Sequence, residues 1–291
     1  MNQIEWQWFG IPDQQGVFNV GGRLGAGGGP EAFMREFSAI RGKTDIHQFR
    51  KPDEWVKDLT TNIEHNHLNV IERLKTFHEQ GGQTVSVVLG GGHDHGYSQL
   101  AGVRQGFAKF NHDKPVKLGC INLDAHLDLR STEKGITSAS PFYLAIEKQV
   151  IEGRDLIEFG IQKHCNRPEL WDYAAKQGVV ILELEEIVKR GAIAVFEESL
   201  RRLEQRCDHI VISWDLDVCA QSVAPGVSAP QARGISAEAI FECLRLAGKS
   251  EKVISLGVFE LNPEHDLDRM TARLAAQGVW YWLDSKLQVS A

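Results

Sequence analysis

The sequence predicts a three-layer α/β/α fold with a mainly parallel central sheet. From about residue 83, short runs of apolar and β-branched residues alternate with stretches of helical spacing. The short runs are apolar nearly throughout, as expected of strands that are buried on both faces of a parallel sheet. No linker, repeat or change of composition divides the series, so we expect a single domain over residues 1–291.

The first elements lie upstream of that series. A glycine-rich segment over 21–29 leads into Pro30, and proline is favoured in the first turn of a helix, so a turn followed by a helix is predicted there. A dinucleotide-binding fingerprint is a poor match, because Pro30 replaces its last glycine and no clear strand precedes it. A second helix is predicted over 62–79, since Ile63, Val70 and Leu74 share one face.

Strand and helix patterns then alternate to the end of the chain. Runs rich in Val, Ile and Leu predict strands over 84–89, 116–123, 156–161, 179–184, 209–214 and 253–259. Apolar residues at intervals of three or four predict helices over 98–110, 141–149, 167–177, 194–205, 237–247 and 266–277.

Composition excludes several classes of protein. The 291 residues carry a formal net charge of −7, with 42% hydrophobic and 24% charged residues, which is a globular balance rather than a disordered one. No apolar run approaches the ~20 residues that a membrane helix needs, and residues 1–10 lack the pattern of a secretory signal. An acidic chain without basic clusters is a poor nucleic-acid binder. We therefore expect a cytoplasmic protein with neither a nucleic acid nor a membrane as partner.

The cysteines do not predict a cross-linked or thiolate-bound structure. They are widely spaced and form no Cys-x-x-Cys pair, which fits neither a disulfide framework nor a zinc ribbon. Reduced and mostly buried thiols are expected at Cys120, Cys165, Cys207, Cys219 and Cys243.

Acidic and imidazole side chains follow four of the predicted strands at the point where each strand ends. The motifs are Gly-Gly-Gly-His-Asp-His at 90–95, Asp-Ala-His-Leu-Asp at 124–128, Asp-Leu-Asp at 215–217 and Glu-Leu-Asn-Pro at 260–263. Each motif alone is usually a solvated loop or a helix cap. Together they indicate a site, because ligands of open parallel sheets bind at the carboxyl ends of the strands.

The clustered carboxylates of Asp124, Asp128, Asp215 and Asp217 require cations, because unneutralised acids so close together would raise one another's pKa. Alternate residues of an extended segment project to one side, so His126 can join Asp124 and Asp128 on one ion or a pair of ions. Carboxylate and imidazole ligands without thiolate suit Mn²⁺ best, with Fe²⁺, Co²⁺ or Ni²⁺ as alternatives and Zn²⁺ less suited. The pattern predicts two metal ions ~3.5–4 Å apart.

The motifs at 90–94, 124–128 and 213–217 resemble the three metal motifs of the ureohydrolase family, which includes arginases, agmatinases and formimidoylglutamases. The resemblance begins near Asn19, with the segment Asn…Gly-Arg-x-Gly-Ala-x-x-Gly-Pro, and continues to the last helix. There, Glu-Leu-Asn-Pro is followed by Asp266, Thr271 and Ala272. The resemblance implies an arginase-like fold and a homo-oligomer.

The resemblance also implies a ligand set for two Mn²⁺ ions per chain. One ion would be bound by His93, Asp124, Asp128 and Asp215, and the other by Asp124, His126, Asp215 and Asp217. Asp124 and Asp215 would bridge the two ions. We prefer His93 to His95, because it occupies the register of the family's ligand histidine, and the roles of Asp94 and His95 stay open.

Two segments favour the formimidoylglutamase group within this family. They are Val-Ala-Pro-Gly-Val-Ser-Ala-Pro at 223–230 and Asn-Leu-Asp-Ala-His-Leu-Asp-Leu-Arg at 122–130. The third metal motif lacks the Asp-Pro continuation usual in arginases and agmatinases, and Ser138 stands where arginase-like members place a pocket histidine. The implied reaction is the hydrolysis of N-formimidoyl-L-glutamate, a small molecule, to L-glutamate and formamide in histidine degradation.

Roles follow for the remaining site residues. A hydroxide generated by the two metals would attack the amidine carbon, with Glu260 pairing with the cationic amidine and Asp128 carrying a proton to the leaving amine. The two carboxylates of the substrate require positive charge, for which Arg130 and Arg233 are candidates, and Asn166 is a further hydrogen-bond donor. Surface or structural ion pairs are an equal alternative for both arginines.

Other functions stay open. A related ureohydrolase would release urea from agmatine, guanidinobutyrate or arginine, and Glu260 would bind such a substrate equally well. A metal-binding homologue without turnover is a third possibility, which the complete ligand set and Glu260 disfavour. A dinucleotide-dependent enzyme and a mononuclear deacylase are weaker alternatives.

Overall fold

One parallel sheet organises the chain in the computed structural model, which describes residues 4–44, 49 and 54–290. Its strands are β1 (Glu5–Ile11), β2 (Glu54–Trp55), β3 (Thr84–Gly90), β4 (Leu118–Leu123), β5 (Leu156–Ile161), β6 (Val180–Glu183), β7 (His209–Asp215) and β8 (Val253–Phe259). Their order across the sheet is β2-β1-β3-β8-β7-β4-β5-β6, and every pairing is parallel. The predicted parallel α/β architecture is confirmed.

Helices cover both faces of the sheet. They are α1 (Gln15–Val20), α2 (Gly29–Ala39), α3 (Ile63–His78), α4 (His95–Phe110), α5 (Pro141–Glu147), α6 (Pro168–Gln177), α7 (Leu184–Arg190), α8 (Ala192–Glu204), α9 (Ala237–Lys249) and α10 (Met270–Ser290). Residues of α2 and α7–α10 join one apolar core, and residues of α3–α6 join the others. Successive residues of β3 enter opposite cores, Val87 one and Val88 the other, as the pleat of a strand requires.

The six predicted strands correspond to β3–β8, whereas β1 and β2 are absent from the prediction. In β1 only the second half is fully buried, and its first residues, from Glu5 to Gln7, are exposed or half-buried. Its outer neighbour β2 pairs only with Phe9 and Gly10. A strand near the sheet edge with a polar beginning lacks the continuous apolar run that identifies a fully buried strand.

The last helix differs most from its predicted extent. Its predicted end is residue 277, but α10 continues through Gly278 to Ser290. A Cβ atom at Gly278 would lie 2.6 Å from the Trp214 ring, so glycine is required there for close packing of α10 on β7. Among the described helices, none combines the length and apolar character needed to cross a bilayer.

Candidate metal centre

The four predicted motifs meet at one edge of the sheet. Strands β3, β8, β7 and β4 are neighbours in that order, and each one ends where a motif begins. Because all four run in the same direction, their carboxyl ends deliver the side chains of the motifs to one place.

The glycine motif after β3 brings its loop against the chain that follows β1. Gly91 donates its N–H to the carbonyl of Ile11 at 3.0 Å, and Gly92 donates to the carbonyl of Asp13 at 2.9 Å. A Cβ atom at Gly91 would lie 1.8 Å from the Asp13 carbonyl oxygen. The close backbone approach therefore requires glycine at position 91, and it places His93 at the sheet edge.

The His93 imidazole is completely buried between three carboxylates. Its Nδ1 lies 3.1 Å from Oδ2 of Asp124, 3.0 Å from Oδ2 of Asp128 and 3.2 Å from Oδ2 of Asp215. Its Nε2 lies 2.8 Å from the hydroxyl of Ser213 on β7. With Nε2 donating to Ser213, Nδ1 presents its lone pair to the carboxylates, which is the tautomer that a metal ligand needs.

His126 forms a second cluster of the same kind. Its Nδ1 lies 3.0 Å from Oδ2 of Asp217 and 3.5 Å from Oδ1 of Asp124. The backbone N–H of His126 donates to Oδ1 of Asp124 at 2.7 Å, and Asp217 donates its N–H to Oδ1 of Asp215 at 2.9 Å. At this edge the structure thus brings together His93, Asp124 and Asp215 in one group and Asp124, His126 and Asp217 in another. The potential ligand atoms of each group lie within 4.8 Å of one another, and the two groups share Asp124.

Burial and mutual repulsion disfavour the ionised forms of most carboxyl groups at this edge. Burial, followed by repulsion from Asp217 and Asp124, raises the pKa of Asp215 well above its usual value. Burial raises the pKa of Asp217 to about 6, and burial with repulsion from Asp124 raises the pKa of Asp128. Burial would also raise the pKa of Asp124, but hydrogen bonds from His126 and His93 outweigh it and hold that pKa below the usual value. Positive charge between these groups therefore stabilises their ionised forms.

The donor set fits a pair of divalent cations. Burial alone would lower the pKa of His93, but the three surrounding aspartates raise it well above its usual value. The position beside Nδ1 therefore attracts either a proton or a metal ion. The two groups with Asp128, whose carboxylate also contacts His93, supply four carboxylates and two imidazoles and no thiolate, which match the ligands that Mn²⁺ prefers.

Glu260 stands beside this cluster at the end of β8. Its Oε1 accepts a 2.8 Å hydrogen bond from the N–H of His93, whereas its Oε2 has no hydrogen-bond partner among the described residues. Burial raises the pKa of Glu260 to about 7.

The φ angles of Glu260 and Asp128 are +65° and +47°, in the left-handed region that costs a non-glycine residue energy. Such backbone strain is typical of functional sites.

A pocket of about 160 Å³ opens onto both clusters. Its walls include five predicted ligands, namely His93, His126, Asp128, Asp215 and Asp217, together with Glu260, Arg130 and Asn166. Asp124 lies beneath the pocket and is fully buried. Ser138 and Ser228 contribute hydroxyl groups to the wall. The volume suits a small molecule.

A larger groove of about 700 Å³ near Arg104 and Lys117 brings together none of the predicted site residues.

The predicted substrate-binding residues have different surroundings. Arg130 is exposed and lines the pocket. Arg233 is absent from the lining, and its guanidinium lies 3.9 Å from Glu185. Asn166 lines the pocket, but its Oδ1 accepts from the N–H of Leu127, and its Nδ2 donates to the carbonyls of Ala125 and Gln162. Asn166 thus fastens the loop that carries His126.

Asp94 and His95 point away from the pocket. Asp94 Oδ2 lies 2.8 Å from His67 Nε2, and His95 Nε2 lies 3.0 Å from Asp13 Oδ2. Asp13 also accepts from Asn66 at 2.8 Å. These contacts anchor the His93 loop to α3 and to the chain after β1. Asp94 and His95, whose roles the sequence left open, therefore have a structural role.

Some residues of the site gave little sequence signal. Ser213 lies inside a quoted motif, yet a serine is ordinary in a strand, and only the fold shows that it contacts His93. Asp13 lies outside every motif. Arg23 donates to the carbonyl of Ser228 and so holds one wall of the pocket, a contact that spans 205 positions. No local pattern reports contacts of this range.

Known proteins with this fold and similar sequence match nearly the whole chain. Residues 8–283 match the model of the arginase family. A formimidoylglutamase of Staphylococcus epidermidis is 30% identical, over 94% of this chain and 84% of that protein. The crystal structure of formimidoylglutamase from Bacillus subtilis superposes with a TM-score of 0.86 at 24% identity, covering 98% of this chain and 88% of that one. A Trypanosoma cruzi formiminoglutamase solved with Mn²⁺ has a TM-score of 0.82 at 25% identity, covering 95% and 91%.

Proposed function

The chain belongs to the arginase family, and on that premise we propose that it is a binuclear manganese hydrolase that cleaves N-formimidoyl-L-glutamate to L-glutamate and formamide. The observation that carries the proposal is the pair of His/Asp clusters that share Asp124 beside the carboxylate of Glu260. The similarity to formimidoylglutamases over nearly the whole chain supports the choice of substrate.

The residues that would hold the two Mn²⁺ ions are those of the two clusters. His93 and Asp128 would contribute to one ion, His126 and Asp217 to the other, and Asp124 and Asp215 to both. When bound, two such ions lower the pKa of water towards neutrality and so supply a strong nucleophile at neutral pH.

Glu260 would bind and orient the reacting group. Its Oε2 lacks a hydrogen-bond partner among the described residues and belongs to the pocket wall, so it is available to an amidinium N–H. The contact of Oε1 with the His93 N–H fixes the other oxygen, which prevents the carboxylate from rotating away. A charge-assisted pair at this position would hold the amidine carbon above the metal ligands.

Asp128 would move the proton that the reaction requires. Hydrolysis adds water across the C–N bond, with oxygen on the amidine carbon and a proton on the departing amine of glutamate. The Asp128 carboxylate lines the pocket, so it is placed to take up a proton from the water and release it to the amine.

Arg130 would bind a carboxylate of the substrate at the pocket mouth. It is exposed, it lines the pocket, and its position directly after the second metal motif keeps it close to the reacting centre. Arg233 would bind the substrate only if the substrate reached beyond the present pocket wall or the loop that carries Arg233 moved towards the pocket. Asn166 would act by holding the His126 loop rather than by contacting the substrate.

Several wider properties belong to the same proposal. We place the reaction in histidine degradation, the enzyme in the cytoplasm and the active form in a homo-oligomer. The single-domain prediction for 1–291 also stays a proposal, since residues 1–3, 45–48, 50–53 and 291 lie outside the described part of the chain.

The test is a comparison of products. Manganese-loaded protein is incubated separately with N-formimidoyl-L-glutamate, agmatine, guanidinobutyrate and arginine, and formamide and urea are measured. We expect formamide from the first compound alone. Urea from a guanidino compound without formamide would instead identify a related ureohydrolase. Turnover of none of the four by protein that holds two Mn²⁺ ions would favour a metal-binding homologue without this activity.

A further inference from the structure

A carboxyl group outside the proposed ligand set lies fully buried within the sheet. Glu158 is in the middle of β5, directly opposite Asn122 of β4 in the strand register. Nδ2 of Asn122 donates to Oε2 of Glu158 at 2.8 Å and to Oδ2 of Asp124 at 3.2 Å. The asparagine amide therefore connects the buried acid to the aspartate that both metal clusters share.

Two polar atoms in this arrangement have no partner among the described residues. They are Oε1 of Glu158 and Oδ1 of Asn122, both completely buried. If Glu158 were ionised, both atoms would be acceptors without a donor, which is costly away from water. A neutral Glu158 carries one O–H, and a donation from it to the amide oxygen would satisfy both atoms at once.

The electrostatic surroundings favour that neutral form. Burial raises the pKa of Glu158 well above its usual value, and repulsion from Asp124 and Asp128 adds to it against the opposing hydrogen bond from Asn122. A neutral acid also adds no negative charge next to the four aspartates of the candidate centre, whereas a fifth carboxylate would increase their repulsion.

We propose that Glu158 is a positioning residue: as a neutral acid it clamps the Asn122 amide, whose second N–H fixes the orientation of Asp124. The other oxygen of Asp124 is already held by the N–H of His126 at 2.7 Å, so the carboxylate is held from both sides. This role rests on the proposed function, in which Asp124 would be a ligand of both Mn²⁺ ions. Partners of this kind orient a ligand and typically change metal affinity 10–100-fold when they are lost.

The test compares two substitutions of similar volume. Glu158→Gln keeps an oxygen for the Asn122 N–H and offers an amide N–H to the Asn122 carbonyl, as the neutral acid does. Glu158→Met offers neither. We expect E158Q to bind Mn²⁺, measured by calorimetry, within about threefold of the wild type, and E158M to bind it about 10-fold or more weakly at a similar melting temperature. Equal affinities for E158M and the wild type, or a loss as large in E158Q as in E158M, would overturn the proposal.

A second measurement needs only the wild type and E158Q, and so decides the matter even where E158M does not fold. Infrared spectra of the manganese-loaded proteins at neutral pH should show a protonated-carboxyl carbonyl band in the wild type that E158Q lacks. Identical spectra in that region would mean that Glu158 is ionised and would refute the clamp. Neither measurement uses the substrate, so a wild type that binds Mn²⁺ but releases no formamide would refute the proposed reaction without affecting the result for Glu158.

Discussion

The backbone N–H of His93 donates a 2.8 Å hydrogen bond to Oε1 of Glu260, so a candidate metal ligand and the candidate substrate-binding acid are directly linked. The N–H of Glu260 in turn donates to the carbonyl of Gly91 at 2.8 Å. These two bonds tie the end of β3 to the end of β8. One oxygen of Glu260 therefore has a structural task, and the other is left for the substrate.

Replacing Glu260 by Gln separates these two tasks. The amide oxygen can still accept from His93, but the negative charge that faces the pocket is lost. We expect kcat/KM for N-formimidoyl-L-glutamate to fall about 10–100-fold, the effect of losing a charge-assisted hydrogen bond, with unchanged manganese content. Glu264→Gln, at an exposed residue of the same loop, is the matched control. An unchanged kcat/KM for E260Q would mean that this carboxylate does not bind the amidinium.

The two predicted arginines can be compared with each other. Arg130 lines the pocket, whereas Arg233 is outside its lining and near Glu185. Arg130→Met should raise the KM about 10-fold, because a cation that binds a substrate carboxylate is removed, while Arg233→Met should change it less than about twofold. Steady-state kinetics decide between them. A larger effect at Arg233 would show that the pocket wall rearranges around the substrate.

Asp217→Asn should remove one metal ion in preference to the other. Asp217 contacts His126 Nδ1 at 3.0 Å but is not among the carboxylates around His93. We expect metal analysis to give about one tightly bound Mn²⁺ per chain instead of two, with activity reduced more than about 100-fold. Asp208→Asn is the control, since Asp208 accepts from the Lys117 N–H at the opposite end of the strands. Two retained ions in D217N would contradict the assignment of this ligand.

Gly91→Ala should destabilise the fold, not only the site. The added Cβ would lie 1.8 Å from the Asp13 carbonyl oxygen, so the loop or the backbone at Asp13 must move. Overpacking of this kind costs about 1–3 kcal/mol of unfolding free energy. At Gly27 the nearest atom to an added Cβ is 3.5 Å away, and Gly27→Ala should shift the free energy by less than about 1 kcal/mol. Chemical denaturation measures both, and equal effects would show that the close approach is not needed.

Stability should fall in mild acid because of His78. Its Nδ1 and Nε2 lie 3.0 Å from the hydroxyls of Thr84 and Ser86, and burial, with a smaller effect of His209, lowers its pKa to about 3. An unfolded His titrates near 6.5, so between about pH 6.5 and 3 the unfolded chain binds a proton that the folded chain does not. The stabilising effect of the neutral ring is complete above that range and decreases as the pH falls.

At pH 5 this linkage amounts to about 2 kcal/mol. Replacing His78 by Gln should remove it, so the decrease in unfolding free energy from pH 7 to pH 5 becomes smaller by that amount. His65→Gln, at an exposed position of the same helix, should leave the decrease as it is in the wild type. Denaturant titrations at both pH values provide the comparison, and the same pH dependence in H78Q and the wild type would contradict it.

The fold could be predicted wherever burial is uniform along an element. Strands such as β3 and β8 are buried at every residue, so apolar residues predominate along them and their positions were predictable. β1 was not predicted because its first half is not fully buried. α10 continues beyond its predicted end because Gly278, which resembles a helix stop in the sequence, instead allows close packing against Trp214. Both depend on what lies beside the element in space, which a local pattern does not contain.

The candidate ligands could be predicted because each belongs to a motif that lies at or just beyond the end of a strand. The geometry brings His93, Asp124, Asp128 and Asp215 together, as expected of neighbouring parallel strands. The surroundings of Asn166 and Arg233 were not predictable, because their contacts come from the loops that face them. Glu158 did leave a signal, a charged residue inside an apolar strand, whose partner becomes evident only from the strand register.

The strand order also determines when, during folding, the metal centre can assemble. Strands β3 and β4, which carry the first two motifs, are separated in the sheet by β7 and β8, which are the last two strands in the chain. During synthesis, the early motifs therefore cannot reach their final spacing until the late strands have been made and inserted between them. Uptake of the two ions would then be a late event in folding and a direct report that the sheet is complete.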